Sequence, residues 1–312
     1  MRMNTSWGTI AISDAHVHFF SRRFFEELAK QKSALGKPVT ADSIVETLGW
    51  ELPSSNNADL AKRWVAELDR RQVSHAALIA SVPGDEDSVG DAVQSFPDRI
   101  DGYFMLNPLA PDAVERCRRA VDILGLRGIC LFPAMHQFSV RDKCLEPIYQ
   151  IAAATPGTVV FVHMGVLSVG VRHKLQLPSK FDMSFSNPIE LHTVALSHPQ
   201  VRFVIPHFGA GYFREVLMLG DLVPNVYLDT SSSNSWIKYH TPPIGLSTIF
   251  RQALNVYGTE RLLFGSDSSF FPRGWNAEIF HAQSAALKEL NIGTEDARAV
   301  FGENLRRLLS GK

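Results

Sequence analysis

Apolar and polar positions along this 312-residue chain follow two alternating periods. Short runs rich in Val, Ile and Phe recur eight times: 9–18 (TIAISDAHVH), 75–81, 100–106, 127–132, 158–164 (TVVFVHM), 201–207 (VRFVIPH), 225–231 (NVYLDTS) and 261–267 (RLLFGSD). Between them lie stretches of helical period, such as DLAKRWVAELDRRQ, with Leu60, Trp64 and Leu68 on one face, and PDAVERCRRAVDIL. Strand and helix therefore alternate, which predicts a parallel sheet. Eight repeats are most economically closed into a (β/α)8 TIM barrel, because closure leaves no exposed edge; an open doubly wound sheet is the other arrangement compatible with the pattern. The chain ends in TEDARAVFGENLRRLL, for which Thr294 is the expected N-cap and Ala297, Val300, Leu305 and Leu308 the buried stripe. Residues 1–312 are expected to form one barrel domain.

Two connections are too long for simple turns. About forty residues, roughly 21–58, separate the first strand from the helix that starts near Asp59, and they carry helical patches and the breakers Gly36, Pro38 and Pro53. A second excursion, 165–188, follows the fifth strand. Both leave the C-terminal ends of strands, the face on which barrel enzymes build their sites, so a helical insertion or lid and long loops are expected there.

Composition narrows the partner. Hydrophobic residues make up 45% of the chain and charged residues 20%, an ordinary globular balance. With 31 basic and 32 acidic residues the net charge is −1, and no basic stripe stands out, which excludes nucleic acid as the expected partner and leaves a small molecule. No run of about 18 apolar residues would span a membrane, and MRMNTSWGTI lacks a signal-peptide core, so a cytoplasmic protein is expected. Cys117, Cys130 and Cys144 are odd in number and far apart, and are expected as buried thiols.

The chemistry-bearing residues gather at strand ends. His16 and His18 are two apart on a strand and face one way. His163 closes the fifth run, His207 the sixth and Asp267 the eighth. Each has a structural reading when taken alone. Together they put metal-compatible side chains at the same end of four strands, and an aspartate ending a buried strand is costly without a cation or several donors. Arg273, just after Asp267, can clamp a substrate carboxylate. Arg172, with His173 and Lys174, can line an anionic pocket or form a solvated charge cluster. His136, Trp236 and His240 are candidate pocket walls, and Phe19 and Phe20 are expected to pack beneath the lid. His75 sits at the wrong end of its strand for catalysis, and His192, His198 and His281 look structural. Asp229 is expected to orient a neighbouring group.

DAHVH, FVHMG, IPHFGAG and LLFGSD, in that order, resemble the amidohydrolase superfamily, and more narrowly the amidohydrolase-related branch that contains aminocarboxymuconate-semialdehyde decarboxylase. The resemblance spans essentially the whole chain. It implies that His16, His18, His163 and Asp267 are metal ligands, that Asp267 also lies beside the nucleophilic water, and that His207 serves as acid/base. Binuclear members carry a bridging lysine at the end of strand four. RGICLFP offers Cys130 and Phe132 there instead, so one divalent metal is expected, zinc first and manganese second. Several relatives that decarboxylate phenolic acids have glutamate where this first-strand motif has histidine. The expected function is hydrolysis of a small, carboxylated substrate such as a lactone or ring-cleavage product. The alternative is a non-oxidative decarboxylase (carboxy-lyase) or hydratase of a muconate-like or aromatic acid using the same site. A homodimer is compatible with the resemblance.

Overall fold

The apolar runs become eight parallel strands: β1 Ser13–Phe19, β2 His75–Ala80, β3 Ile100–Leu106, β4 Gly128–Leu131, β5 Val159–Val162, β6 Arg202–Ile205, β7 Val226–Asp229 and β8 Leu262–Leu263. This computed structural model describes residues 1–232 and 235–311. Each strand pairs with the next in chain order. The main chain beyond β8 completes the ring: Ala15 N donates to Phe264 O at 2.8 Å, His18 N to Ser268 O at 2.7 Å and Asp267 N to His16 O at 3.0 Å. The closed barrel, rather than the open sheet, is the architecture.

Alternation along the strands sorts side chains into two layers. Ala76, Leu78, Ala80, Phe104, Val160, Val162 and Leu228 point outward into the core shared with the surrounding helices. Ala77, Ile79, Tyr103, Cys130, Phe161 and Leu263 point inward and fill the barrel, plugged from below by Leu305, Leu308 and Leu309. The helices form for local reasons. The helix Asn57–Arg70 is capped by the Asn56 side chain, which accepts from Ala58 N, and it buries Leu60, Trp64 and Leu68.

Three expectations need correction. The first apolar run is split: Gly8–Ile10 pairs antiparallel with Met3–Thr5 in a separate hairpin, and β1 starts only at Ser13. Thr294 is the first helical residue and not the cap; Gly293 occupies that position, and a π-helical turn, Ala299–Glu303, interrupts the closing helix. Cys144 is only half-buried, whereas Cys117 and Cys130 are buried; all three are free thiols.

Above the barrel mouth, the connection after β1 folds into α1 (Arg22–Ser33) and α2 (Ala41–Leu48). Phe24, Phe25, Leu28, Ile44, Val45 and Leu48 of this insertion pack with Val171, Leu175 and Leu177 from the loop after β5, forming a hydrophobic cluster distinct from the two barrel cores. Lys32 Nζ donates to Leu175 O at 2.8 Å and Arg172 to Gln31 Oε1 at 2.6 Å, so the two long connections form one roof. Among the described residues, no helix is long and apolar enough to cross a membrane.

Candidate metal centre

The alternation that packs the barrel interior also delivers the site. One step of two residues beyond inward-facing Ile79, Phe161, Tyr227 and Leu263 come Ser81, His163, Asp229 and Gly265. Strand β1 departs from strict alternation. Its register with β2 shifts between Asp14 and Val17, and this bulge turns both Ala15 and His16 inward before His18 resumes the pattern. Strict alternation from inward Val204 would also point His207 out of the barrel. The chain reverses this by adopting φ 57° at His207 and φ 51° at Phe208, left-handed values that cost strain in non-glycine residues and concentrate at functional sites. Asp267, two residues beyond inward Gly265, also has a left-handed φ of 55°.

The result is a tight convergence. His16, His18 and Asp267 each bring one ligand atom within 4.8 Å of the others. His16 Nδ1 lies 2.6 Å from Asp229 Oδ2, and a carboxylate can only accept, so the imidazole proton sits on Nδ1. Bare Nε2 then lies 3.7 Å from Asp267 Oδ1. His18 Nε2 is 3.2 Å from the same oxygen, and its Nδ1 is 2.7 Å from Ser81 Oγ. A lone pair aimed at a carboxylate oxygen is unfavourable unless a cation lies between them. Two imidazoles and a carboxylate, with His16 already in the ligand tautomer, fit a divalent cation of the zinc or manganese kind. The site opens on one side: His16 is 2% exposed, whereas His18 and Asp267 are 21% and 34% exposed.

The surrounding electrostatics agree. Burial depresses the pKa of His18; at His16 burial is again the largest effect, but the Asp229, Asp267 and Asp14 carboxylates together overcome it and raise the pKa. Burial pushes Asp267 up, yet its close contact with His18 and the neighbouring His16 and His207 rings win and hold it well below the ordinary carboxylate range. Burial keeps His163 far below the usual imidazole value, and its Nδ1 is buried with no partner among the described residues. His163 stands just outside the tightest group, its ring 5.1 Å from that of His207 and stacked on Phe132 at 5.5 Å. His207 Nδ1 approaches Ser231 O at 3.2 Å, and the His207 ring is 5.0 Å from the His16 ring.

Several supports have no role assigned from sequence. Asp14 is fully buried and accepts from His16 N at 3.0 Å, Ser266 N at 3.0 Å, Trp275 Nε1 at 2.7 Å and the Ser266 hydroxyl, tying β1 to the segment that carries Asp267. Burial still pushes its pKa up to about 6. A carboxylate inside an apolar run was the signal for it. Gly265 is required by close approach: a Cβ there would come within 2.5 Å of Asp229 Oδ1 and 2.9 Å of His16 Cβ. Cys130 is buried, and burial raises its thiol pKa far above normal, so strand four offers an inert thiol and no lysine at its end.

The candidate substrate residues divide. Arg273 is exposed beside the site: a guanidinium nitrogen donates to Asp267 O at 3.3 Å and to Ser269 Oγ at 2.9 Å, and the group stacks 4.5 Å from the centre of the Phe270 ring. Phe270 stacks on Trp50 at 4.0 Å, and Phe20 on Phe24 at 3.8 Å, beneath the roof. His136 and Arg172 line a cavity of about 720 Å³ that runs from Ser81 and Met105 outward between α1 and the loop after β5. Arg172 is already engaged by Gln31, Pro178 O and Ser179 Oγ. Trp236 and His240 do not line this cavity; Trp236 is buried among Phe208, Phe213 and His240. His75 is held at the opposite end of the barrel by Asp101 and Arg306.

Comparison with known proteins places this geometry in context. Within the chain, 87 residues, 28% of its length, are 33% identical to Protein fluG of Emericella nidulans, and the match spans only 10% of that protein. A 5-carboxyvanillate decarboxylase from Novosphingobium aromaticivorans, complexed with manganese and 4-hydroxy-3-methoxy-5-nitrobenzoic acid, superposes with a TM-score of 0.64 at 14% identity, covering 96% of each chain. A "probable 2-pyrone-4,6-dicarboxylic acid hydrolase" from Acinetobacter baumannii, with citric acid bound, gives a TM-score of 0.60 at 14% identity over 96% of this chain and 100% of that one. These two likenesses are likenesses of fold. The amidohydrolase family model matches residues 13–310, and the chain belongs to the amidohydrolase family of enzymes.

Proposed function

We propose that this protein is a metal-dependent hydrolase that uses one divalent cation, held by His16, His18, His163 and Asp267, to hydrolyse a small carboxylated molecule such as a lactone or ring-cleavage product. The observation that carries this reading is the pair of histidine Nε2 atoms meeting one oxygen of Asp267, with His16 locked in the tautomer that leaves its Nε2 bare. When bound, the cation would supply Lewis-acid polarisation and a water of pKa roughly 7. The protein's own groups do the rest. Asp267 accepts the proton of the attacking water and passes it to the leaving group. His207, with Nδ1 turned to Ser231 O, presents Nε2 to the substrate oxygen as acid/base. Arg273, pre-oriented on Phe270, clamps the substrate carboxylate. Zinc is the first choice of metal and manganese the second; the manganese-bound decarboxylase of like fold makes the second choice concrete.

The test is elemental analysis of the purified protein, followed by assays of metal-stripped and reloaded enzyme against lactones, amides and carboxylated ring-cleavage products. Full activity without metal would end this reading. That same decarboxylase favours a second one, in which Asp267 and His207 move a proton to carbon and carbon dioxide leaves, or water adds across a double bond. Release of carbon dioxide or hydration of a muconate-like acid, with no hydrolysis across the panel, would select it. Three free thiols fit a reducing, cytoplasmic setting, and sedimentation would decide between monomer and homodimer.

A further inference from the structure

We propose that Ser81 is a positioning residue for His18, its hydroxyl setting the tautomer in which Nε2 is free to bind a cation. This rests on the metal-dependent reading above. Ser81 directly follows β2 on the inward side, with its Oγ 2.7 Å from His18 Nδ1 and donating to Ile79 O at 3.0 Å. A hydroxyl has a single proton. With that proton on Ile79 O, the Ser81 oxygen can only accept from Nδ1, which must then carry the imidazole proton and leave Nε2 bare toward Asp267 Oδ1.

The contrast with His16 gives the arrangement its meaning. Asp229 can only accept, so His16 Nδ1 keeps its proton whether or not a cation is bound. The Ser81 hydroxyl can rotate. Turned toward Nδ1 it donates, and His18 then carries its proton on Nε2, where Asp267 accepts it. One histidine of the site is thus fixed and the other reversible. Ser81 also lines the large cavity, so a ligand lodged there meets the residue that sets the state of His18.

The probe is Zn2+. Its affinity is measured by chelator competition for the wild type, Ser81→Ala and Ser81→Thr, and 15N NMR of the loaded wild type reports which His18 nitrogen carries the proton. Ser81→Ala should bind Zn2+ about tenfold more weakly, and Ser81→Thr, which keeps the hydroxyl, should restore most of that loss. The loaded wild type should show His18 protonated on Nδ1. Undiminished affinity in Ser81→Ala, equal loss in Ser81→Thr, or a proton on Nε2 in the loaded protein would each overturn the assignment. The NMR result decides even if Ser81→Ala fails to fold. Failure of the wild type to take up Zn2+ would instead strike the metal reading itself, and the role of Ser81 with it.

Discussion

Asp229 and His16, 213 residues apart in sequence, face each other at 2.6 Å with the carboxylate fully buried. In the proposed metal site the pair would fix the direction in which the His16 imidazole offers its Nε2. Asp229→Asn keeps the size but offers an amide that can donate to Nδ1, freeing the wrong tautomer. Metal affinity should fall about 10- to 100-fold, and activity with it. Titration of stripped protein with zinc checks this, and an unchanged affinity would assign Asp229 a packing role only.

Gly265 predicts a steric failure at the same place. Adding one methyl group drives it into Asp229 Oδ1 and His16 Cβ, neither of which can retreat inside a filled barrel. Gly265→Ala should cost about 1–3 kcal/mol of stability and misplace His16. Chemical denaturation together with metal content would reveal both losses; a variant as stable and as metal-loaded as wild type would show that the β7–β8 contact has slack.

Arg273 should govern recognition of the acid group. Arg273→Ala should lower kcat/KM for a carboxylated substrate by roughly 1.5–3 kcal/mol of lost charged hydrogen bonding, about tenfold to a hundredfold. Arg273→Lys should rescue little, because lysine lacks the planar face that stacks on Phe270. Steady-state kinetics on an acid and its methyl ester separate the effect: the ester should lose nothing further.

His136 makes stability depend on pH. Burial depresses its pKa from 6.5 to about 4. A depressed folded value means the ring is buried neutral, so its contribution is intact above pH 6.5 and drains away as pH falls toward 4. The full loss is about 3 kcal/mol. Comparing wild type with His136→Gln between pH 7 and 4 isolates it, since other titrating groups cancel in the difference. A difference that stays constant over that interval contradicts the prediction. The neutral ring also means that His136 meets a ligand at neutral pH as a hydrogen-bonding wall and not as a cation.

The barrel was legible because buried parallel strands announce themselves as apolar runs between helical periods. Strand β8 shows the limit: RLLFGSD looks like a full strand, yet only Leu262–Leu263 are strand, since Gly265 and left-handed Asp267 bend the rest toward β1. The pairing of His16 with His18 was legible from spacing, but the bulge that aims His16 was not, because register depends on β2. Asp14 and Ser81 escaped for a related reason. Their importance lies in partners such as Ser266, Trp275 and His18, which no local pattern brings together. Thr294 misled because a threonine before a helix resembles a cap even when the glycine before it holds that position.

The roof has a core of its own, in which Leu28 and Val171 meet without touching the side chains that fill the barrel. Substitutions there reshape the ceiling over the cavity and reach the histidines chiefly through Phe20, which stacks on Phe24 and lies 5.5 Å from the His18 ring. Such a division lets the range of accepted molecules drift by changes in the ceiling, while the chemistry beneath stays under a separate and stricter constraint.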